Sequence, residues 1–200
     1  TTIASEIISE EAILNTNTVK TIGYFKNFID NKAIDSKIKA DFLASLEKIK
    51  AKGIEVKALD FFDSETLVST YYTLAMAETA SNLSRLDGTN YGSRIEGENL
   101  KDTYAITRSE NFSEESKRRI VGGNQVLSQG FSDEIYLKGL ALRDQISANF
   151  EKDFEEVEII LSPVTPNTPP KIGKSLKDPL AMYLSDAYTV GFSLGQLPTL

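Results

Sequence analysis

Residues 19–59 constrain the fold more tightly than any other stretch of the chain. They read VKTIGYF, a polar loop, IDSKIKADFLASLEKIKAKG, then IEVKAL. The first run is β-prone. In the second, Ile38, Phe42, Leu46 and Ile49 recur at helical spacing, Asp35 or Ser36 can cap the start, and Gly53 can end it. In the third, Ile54, Val56 and Ala58 alternate with Glu55 and Lys57 as in a half-buried strand. Strand, amphipathic helix and strand in this order predict two adjacent parallel strands, and so an α/β fold.

The rest of the pattern extends that unit. Residues 64–83 read as a helix that grows polar toward its end. SRLDGTNYG, residues 84–92, reads as a turn, because Gly88 tolerates positive φ and Asp87 can bond its neighbouring backbone. Residues 99–108 predict a short helix. Ser113 followed by Glu114 and Glu115 predicts another start, with a hydroxyl cap and acids near the positive dipole end. Lys117, Arg118 and Arg119 follow, and Gly122-Gly123 should weaken that helix. From Ser132 a helix carries the stripe Ile135, Leu142, Ile146, Phe150 and Phe154. Residues 157–161, ending in IIL, predict a strand buried on both faces. Four prolines in SPVTPNTPPKIG then hold an extended loop at the C-terminal end of that strand, where open α/β sheets place ligands. Asp178-Pro179 starts a final helix pattern that includes Asp186. No repeat or linker divides residues 1–200, which are expected to be one domain segment.

Composition narrows the chemistry. The chain contains no histidine, so a Ser-His-Asp triad cannot be built and acid-base work would fall to Asp, Glu, Lys or Tyr. Cysteine is also absent, which removes disulfides, thiolate catalysis and cysteine zinc sites. No carboxylates cluster at metal-ligand spacing, and no metal site is expected. The net charge of −7 opposes direct attraction to nucleic acid or to anionic membranes. No apolar run approaches the roughly 20 residues needed to span a bilayer, and TTIASEIISEE is not signal-like, so a cytoplasmic protein is expected. The chain opens without Met and stops at GQLPTL, which reads as a segment of a longer chain.

Few residues single themselves out for binding. NQVLSQG after Gly122-Gly123 lacks the Lys-Ser/Thr of a phosphate loop. The KRR triplet at 117–119 can either fork onto a carboxylate or phosphate or form a solvated helix face. Asp186 is either exposed or placed to accept from a cationic or amide donor. Tyr71-Tyr72 can pack in the core with hydroxyls directed to a cleft.

Four stretches in their order carry a resemblance: YYTLAMAETASNLSRLDGTNYGSR, TRSENFSEESKRRIVGGNQVLSQGFSDEIYLKGLALRDQI, IILSPVTPNTP and DPLAMYLSDAYTVGFSLGQLP. Together they resemble the amidase-signature enzymes, and within them the glutamine-hydrolysing A subunits of tRNA-dependent amidotransferases. The resemblance implies a mixed sheet flanked by helices, with catalysis by two serines and a lysine that lie upstream in a Gly/Ser-rich signature. No such signature occurs here, so the resemblance implies the downstream part of such a protein, incomplete at both ends and inactive alone. It implies ammonia delivery to a B subunit that holds ATP, Mg and tRNA, with a C subunit that joins the other two. By position it implies a glutamine-recognition pair in Arg119 and Asp186, with Tyr71 as a third contact. TVGFSLGQLP departs from the Pro and small residues that the family places before its Leu-Pro. Two other readings stay open: a hydrolase of another small amide, and a binding or scaffold segment without chemistry.

Overall fold

A computed structural model of the chain describes residues 19–169, 171–172, 183 and 185–200. Strand β1 (Thr21–Phe25) leads into a single helical turn, α1 (Lys26–Ile29), and then helix α2 (Ser36–Lys50). The Asp35 carboxylate accepts from the backbone N–H groups of Lys37 and Ile38, which satisfies two of the donors a helix start leaves open. Gly53 lies beyond the end of α2 at φ 83°, a conformation open to glycine at no steric cost. Strand β2 (Glu55–Leu59) then pairs in parallel with β1, Thr21 opposite Glu55 and Phe25 opposite Leu59. The expected β-α-β unit is present. The alternation fails at its end, where Ala58 is exposed and Leu59 is buried.

Three helices follow: α3 (Ser64–Leu83), α4 (Leu100–Asn111) and α5 (Glu114–Val126), capped by the side chains of Asp63, Asn99 and Ser113. Between α3 and α4, Gly88 has φ 76° and Asp87 Oδ1 accepts from the Thr89 N–H at 2.8 Å, so SRLDGTNYG forms the expected turn. Arg108 of α4 reaches back to cap α3, its Nη1 donating to the carbonyls of Leu83 and Leu86. A cation at that end also complements the helix dipole.

Two expectations about helices are corrected. Gly122-Gly123, expected to weaken α5, leave it continuous to Val126; the cost of glycine in a helix is offset by a close packing described below. The helix expected from Ser132 opens as a π-helical turn, Ser132–Tyr136, before α6 (Leu137–Glu156). In α6 the inward side is Gly139, Ile146, Phe150 and Asp153, while Ile135 and Phe154 at the ends of the expected stripe are exposed. The π turn adds a residue to the cycle and shifts the phase of what precedes it.

Strand β3 (Ile159–Leu161) pairs in parallel with the other side of β1, giving the order β2-β1-β3. The strand is shorter than expected and not buried on both faces, with Ile159 39% exposed. It has one described neighbour, β1, so its other edge is unpaired among the described residues. Residues 178 and 179, the expected start of the last helix, lie outside the described residues. The last described helix is α7 (Val190–Leu194).

The core lies where β1, α1, α3, α6 and α7 meet, and it is strongly aromatic. Phe25 stacks on Phe61 at 4.2 Å between centroids, Phe28 stacks on Tyr188 at 4.9 Å, and Phe150 packs against both Phe25 and Phe61. Full burial of each such ring contributes about 2–3 kcal/mol. The Tyr188 hydroxyl donates to the Phe28 carbonyl at 2.8 Å, so the deepest polar group in this cluster is satisfied. Phe192, one of the residues that depart from the family pattern, points into this cluster, 5.5 Å from the Phe150 ring. Gly191 packs against Phe61 and Leu67.

Candidate functional site

The packing of α5 on α3 brings the candidate residues together. A Cβ on Gly123 would overlap the Met76 carbonyl and come within 2.7 Å of Ala80 Cβ, so only glycine lets the two backbones approach this closely. Arg119 lies one turn before Gly123 on α5, and Tyr72 lies one turn before Met76 on α3. The same approach therefore sets Arg119 against Tyr72, with the guanidinium carbon 5.4 Å from the ring centroid. That is cation–π distance.

Asp186 arrives from the other side. It sits in the turns before α7, where its carbonyl accepts from the N–H groups of Thr189 and Val190. Its Oδ2 accepts from the Tyr72 hydroxyl at 2.6 Å. Tyr72 thus touches both members of the expected pair. Burial first, then the bond to Asp186, pushes the Tyr72 hydroxyl above the ordinary tyrosine range and keeps it a donor.

Tyr71 takes a different position. Its ring meets the Tyr72 ring edge-on at 5.2 Å and packs at the margin of the core. Residues 71 and 72 are about 100° apart around the helix, so only one of them can face Asp186 squarely.

Arg119 is held by a residue that motif spacing alone did not mark as part of the site. Glu115, one turn earlier on α5, accepts from Arg119 Nε at 2.9 Å through Oε1. The same oxygen accepts from the Tyr183 hydroxyl at 3.0 Å, and Oε2 pairs with Arg118 Nη1. Burial alone would raise the Glu115 carboxyl. The hydrogen bonds from Arg119 and Tyr183 and the charges of Arg119 and Arg118 outweigh it and hold the carboxyl below its ordinary value. Lys117 pairs instead with Glu114 on the solvent side. The triplet is therefore split: Lys117 pairs with Glu114, the exposed Arg118 pairs with Glu115 Oε2, and Arg119, the least exposed of the three, lies against the Tyr72 ring. The i,i+4 spacing of Glu115 and Arg119 was a legible sign of this pair. Nothing local signals Tyr183, 68 residues away.

The proline-rich loop forms a separate feature. Pro163, Val164 and Thr165 face Ile38 and Phe42 of α2 across a cleft of about 310 Å³. The loop is pinned by the Asp35 N–H, which donates to the Pro166 carbonyl. Neither Arg119, Asp186 nor the tyrosine pair lines this cleft. Among the described residues no group of three or more Asp or Glu is arranged to hold a metal ion.

What the constellation can do follows from its charges. A guanidinium and a carboxylate, joined through one tyrosine, offer opposite charges to a small zwitterion: a planar fork for a carboxylate and an acceptor for an ammonium. Such a pairing of charges suits recognition of a small zwitterion.

Comparison with known proteins agrees with this architecture. The amidase family model matches residues 6–200, and the chain belongs to the amidase family. The A subunit of glutamyl-tRNA(Gln) amidotransferase from Campylobacter concisus (strain 13826) is 44% identical over 175 residues, covering 88% of this chain and 38% of that protein. Its counterpart from Acinetobacter baumannii (strain AYE) is 40% identical over 203 residues, covering 100% of this chain and 41% of the relative. The chain spans about 40% of the length of these relatives. Among solved structures, the A subunit of the same enzyme from Thermotoga maritima matches with a TM-score of 0.61 at 27% identity, over 88% of this chain and 33% of that one. The structure of 6-aminohexanoate cyclic dimer hydrolase, at 15% identity and a TM-score of 0.54 over 90% of this chain and 37% of the other, shares the fold.

Proposed function

We propose that the chain is the glutamine-recognition portion of an amidotransferase A subunit. Arg119 binds the α-carboxylate of glutamine and Asp186 binds its α-ammonium, with Tyr72 ordering both and Tyr71 beside it at the site. The single observation that carries this reading is the Tyr72 hydroxyl bonded to Asp186 beneath the Arg119 guanidinium, which puts both required charges on one ring. The similarity to A subunits over most of the chain supports glutamine as the amide.

On this reading the nucleophile and its base relay belong to the remainder of a longer polypeptide. Glutamine hydrolysis there releases ammonia to the B subunit, which binds ATP, Mg and the tRNA, while the C subunit joins the other two. The assembly works in the cytoplasm. Among the described residues no helix is long and apolar enough to cross a membrane. The acidic balance of the chain suits a division in which the B subunit holds the tRNA.

The test is glutaminase kinetics of the assembled enzyme carrying Asp186→Asn. Loss of the charge that meets the ammonium should raise the KM for glutamine on the order of tenfold to a thousandfold. Unchanged KM, or an equal loss on amides that lack an α-amino group, overturns the assignment.

A further inference from the structure

The Nε edge of Arg119 is occupied by Glu115, whereas its two Nη groups make no hydrogen bond among the described residues. A guanidinium is a rigid plane with five donors, so fixing Nε and resting one face on a ring fixes where the remaining fork points. Tyr72 supplies the ring. Both Glu115 oxygens are engaged, Oε1 shared by Arg119 and Tyr183 and Oε2 paired with Arg118.

Tyr183 lies three residues before Asp186. Its bond to Glu115 joins helix α5, which carries Arg119, to the segment that carries Asp186. A second bond, Tyr72 to Asp186, ties that segment to α3. Two charges of opposite sign that flank one tyrosine would otherwise pair with each other and cancel as recognition groups.

We propose that Glu115, braced by Tyr183, is a positioning residue that holds Arg119 by its Nε edge, away from Asp186, and presents its Nη fork to the substrate carboxylate. The proposal rests on the glutamine reading above. The charges support it: one Glu115 carboxylate faces both Arg118 and Arg119, so a positive charge remains at the fork. Glu115 touches no reacting atom, and its loss should act on binding rather than on the chemical step.

The experiment measures glutaminase kinetics of the complete amidotransferase with Glu115→Ala, Glu115→Gln, Tyr183→Phe, Arg119→Ala and the double variant Glu115→Ala/Arg119→Ala. For Glu115→Ala the KM for glutamine should rise on the order of tenfold with kcat within about twofold. Glu115→Gln should fall between Glu115→Ala and the parent, because its amide oxygen still accepts from Nε. The double variant should match Arg119→Ala alone, since the clamp has nothing left to position. Should Glu115→Ala fail to fold, Tyr183→Phe removes only the brace and should raise KM by about threefold with kcat preserved. A KM unmoved by Glu115→Ala or by Tyr183→Phe while Arg119→Ala raises it overturns the clamp alone. The clamp also fails if the Glu115 and Arg119 effects multiply in the double variant. An unmoved KM in Arg119→Ala overturns the glutamine reading, and the clamp with it.

Discussion

Tyr72 and Glu115 each join groups that are far apart in sequence. Removing the Tyr72 hydroxyl leaves Asp186 without its shortest hydrogen bond, at 2.6 Å. Tyr72→Phe should therefore destabilise the protein by about 1–3 kcal/mol and raise the KM for glutamine, while Tyr71→Phe changes both far less. Thermal melting and glutaminase kinetics of the two variants check this, and equal effects would contradict the assignment of Tyr72. Glu115 has a pH signature. Its folded carboxyl lies below its ordinary 4.5, so its pairing adds stability above that value and loses it as pH falls through the lower folded value. Glu115→Gln should accordingly flatten the acid limb of the melting-temperature profile below about pH 4.5 and lower stability at pH 7. Residue types alone excluded histidine triads in this chain but left the KRR triplet and Asp186 open between solvated and binding roles; Arg119 and Asp186 were singled out by the family resemblance. That Tyr72 and not Tyr71 bonds Asp186 was not legible, because it depends on the rotation of α3 relative to Asp186.

At the scale of elements, caps and periodicity located most helices: α3 and the Ser113 start of α5 fall where the sequence puts them. The failures share one cause, tertiary contact overriding local preference. Gly122-Gly123 looked like a weak point in isolation, but Gly123 is where α5 touches the Met76 carbonyl of α3. Gly123→Ala should then cost about 3 kcal/mol and displace Arg119. Gly122→Ala should be tolerated, because its Cβ would meet only the flexible Met76 Sδ, at 3.0 Å. Chemical denaturation of both variants distinguishes them, and similar midpoints would argue against this packing. In α6, the buried inward residue is Asp153 rather than Phe154. Burial raises the Asp153 carboxyl above its ordinary 3.8, despite the hydrogen bond from Asn149. A raised carboxyl favours the folded state below its unfolded value and loses that advantage as pH rises through the folded one. Asp153→Asn should raise the melting temperature at pH 7, with the gain vanishing below about pH 3.8. A gain that persists in acid would contradict the burial argument.

The three-stranded sheet β2-β1-β3 and its aromatic core form the centre of the described structure, and Arg119, Tyr72 and Asp186 lie on the α3–α5 layer and the turns before α7. The parallel centre of the fold was legible from the β-α-β pattern at its start. The width of the sheet was not, because IIL reads as a doubly buried strand while β3 has one described neighbour. Exposed apolar groups lie at and just beyond that open edge: Ile159 is 39% and Val164 71% exposed. Residues 1–200 expressed alone should therefore self-associate, as light scattering across a concentration series can establish, and a strictly monomeric chain would contradict this view. Membership of the amidase family, similarity to amidotransferase A subunits and the charges of Arg119 and Asp186 beside one tyrosine support the proposal that the ligand is glutamine. The most direct measurement of that claim pairs a protein change with a substrate change: kcat/KM of parent and Arg119→Ala enzyme on glutamine and on 4-aminobutanamide, which lacks the α-carboxylate. The expected result is a loss of roughly a hundredfold on glutamine and almost none on the truncated amide. Equal losses on both substrates would contradict the assignment of Arg119 to the carboxylate.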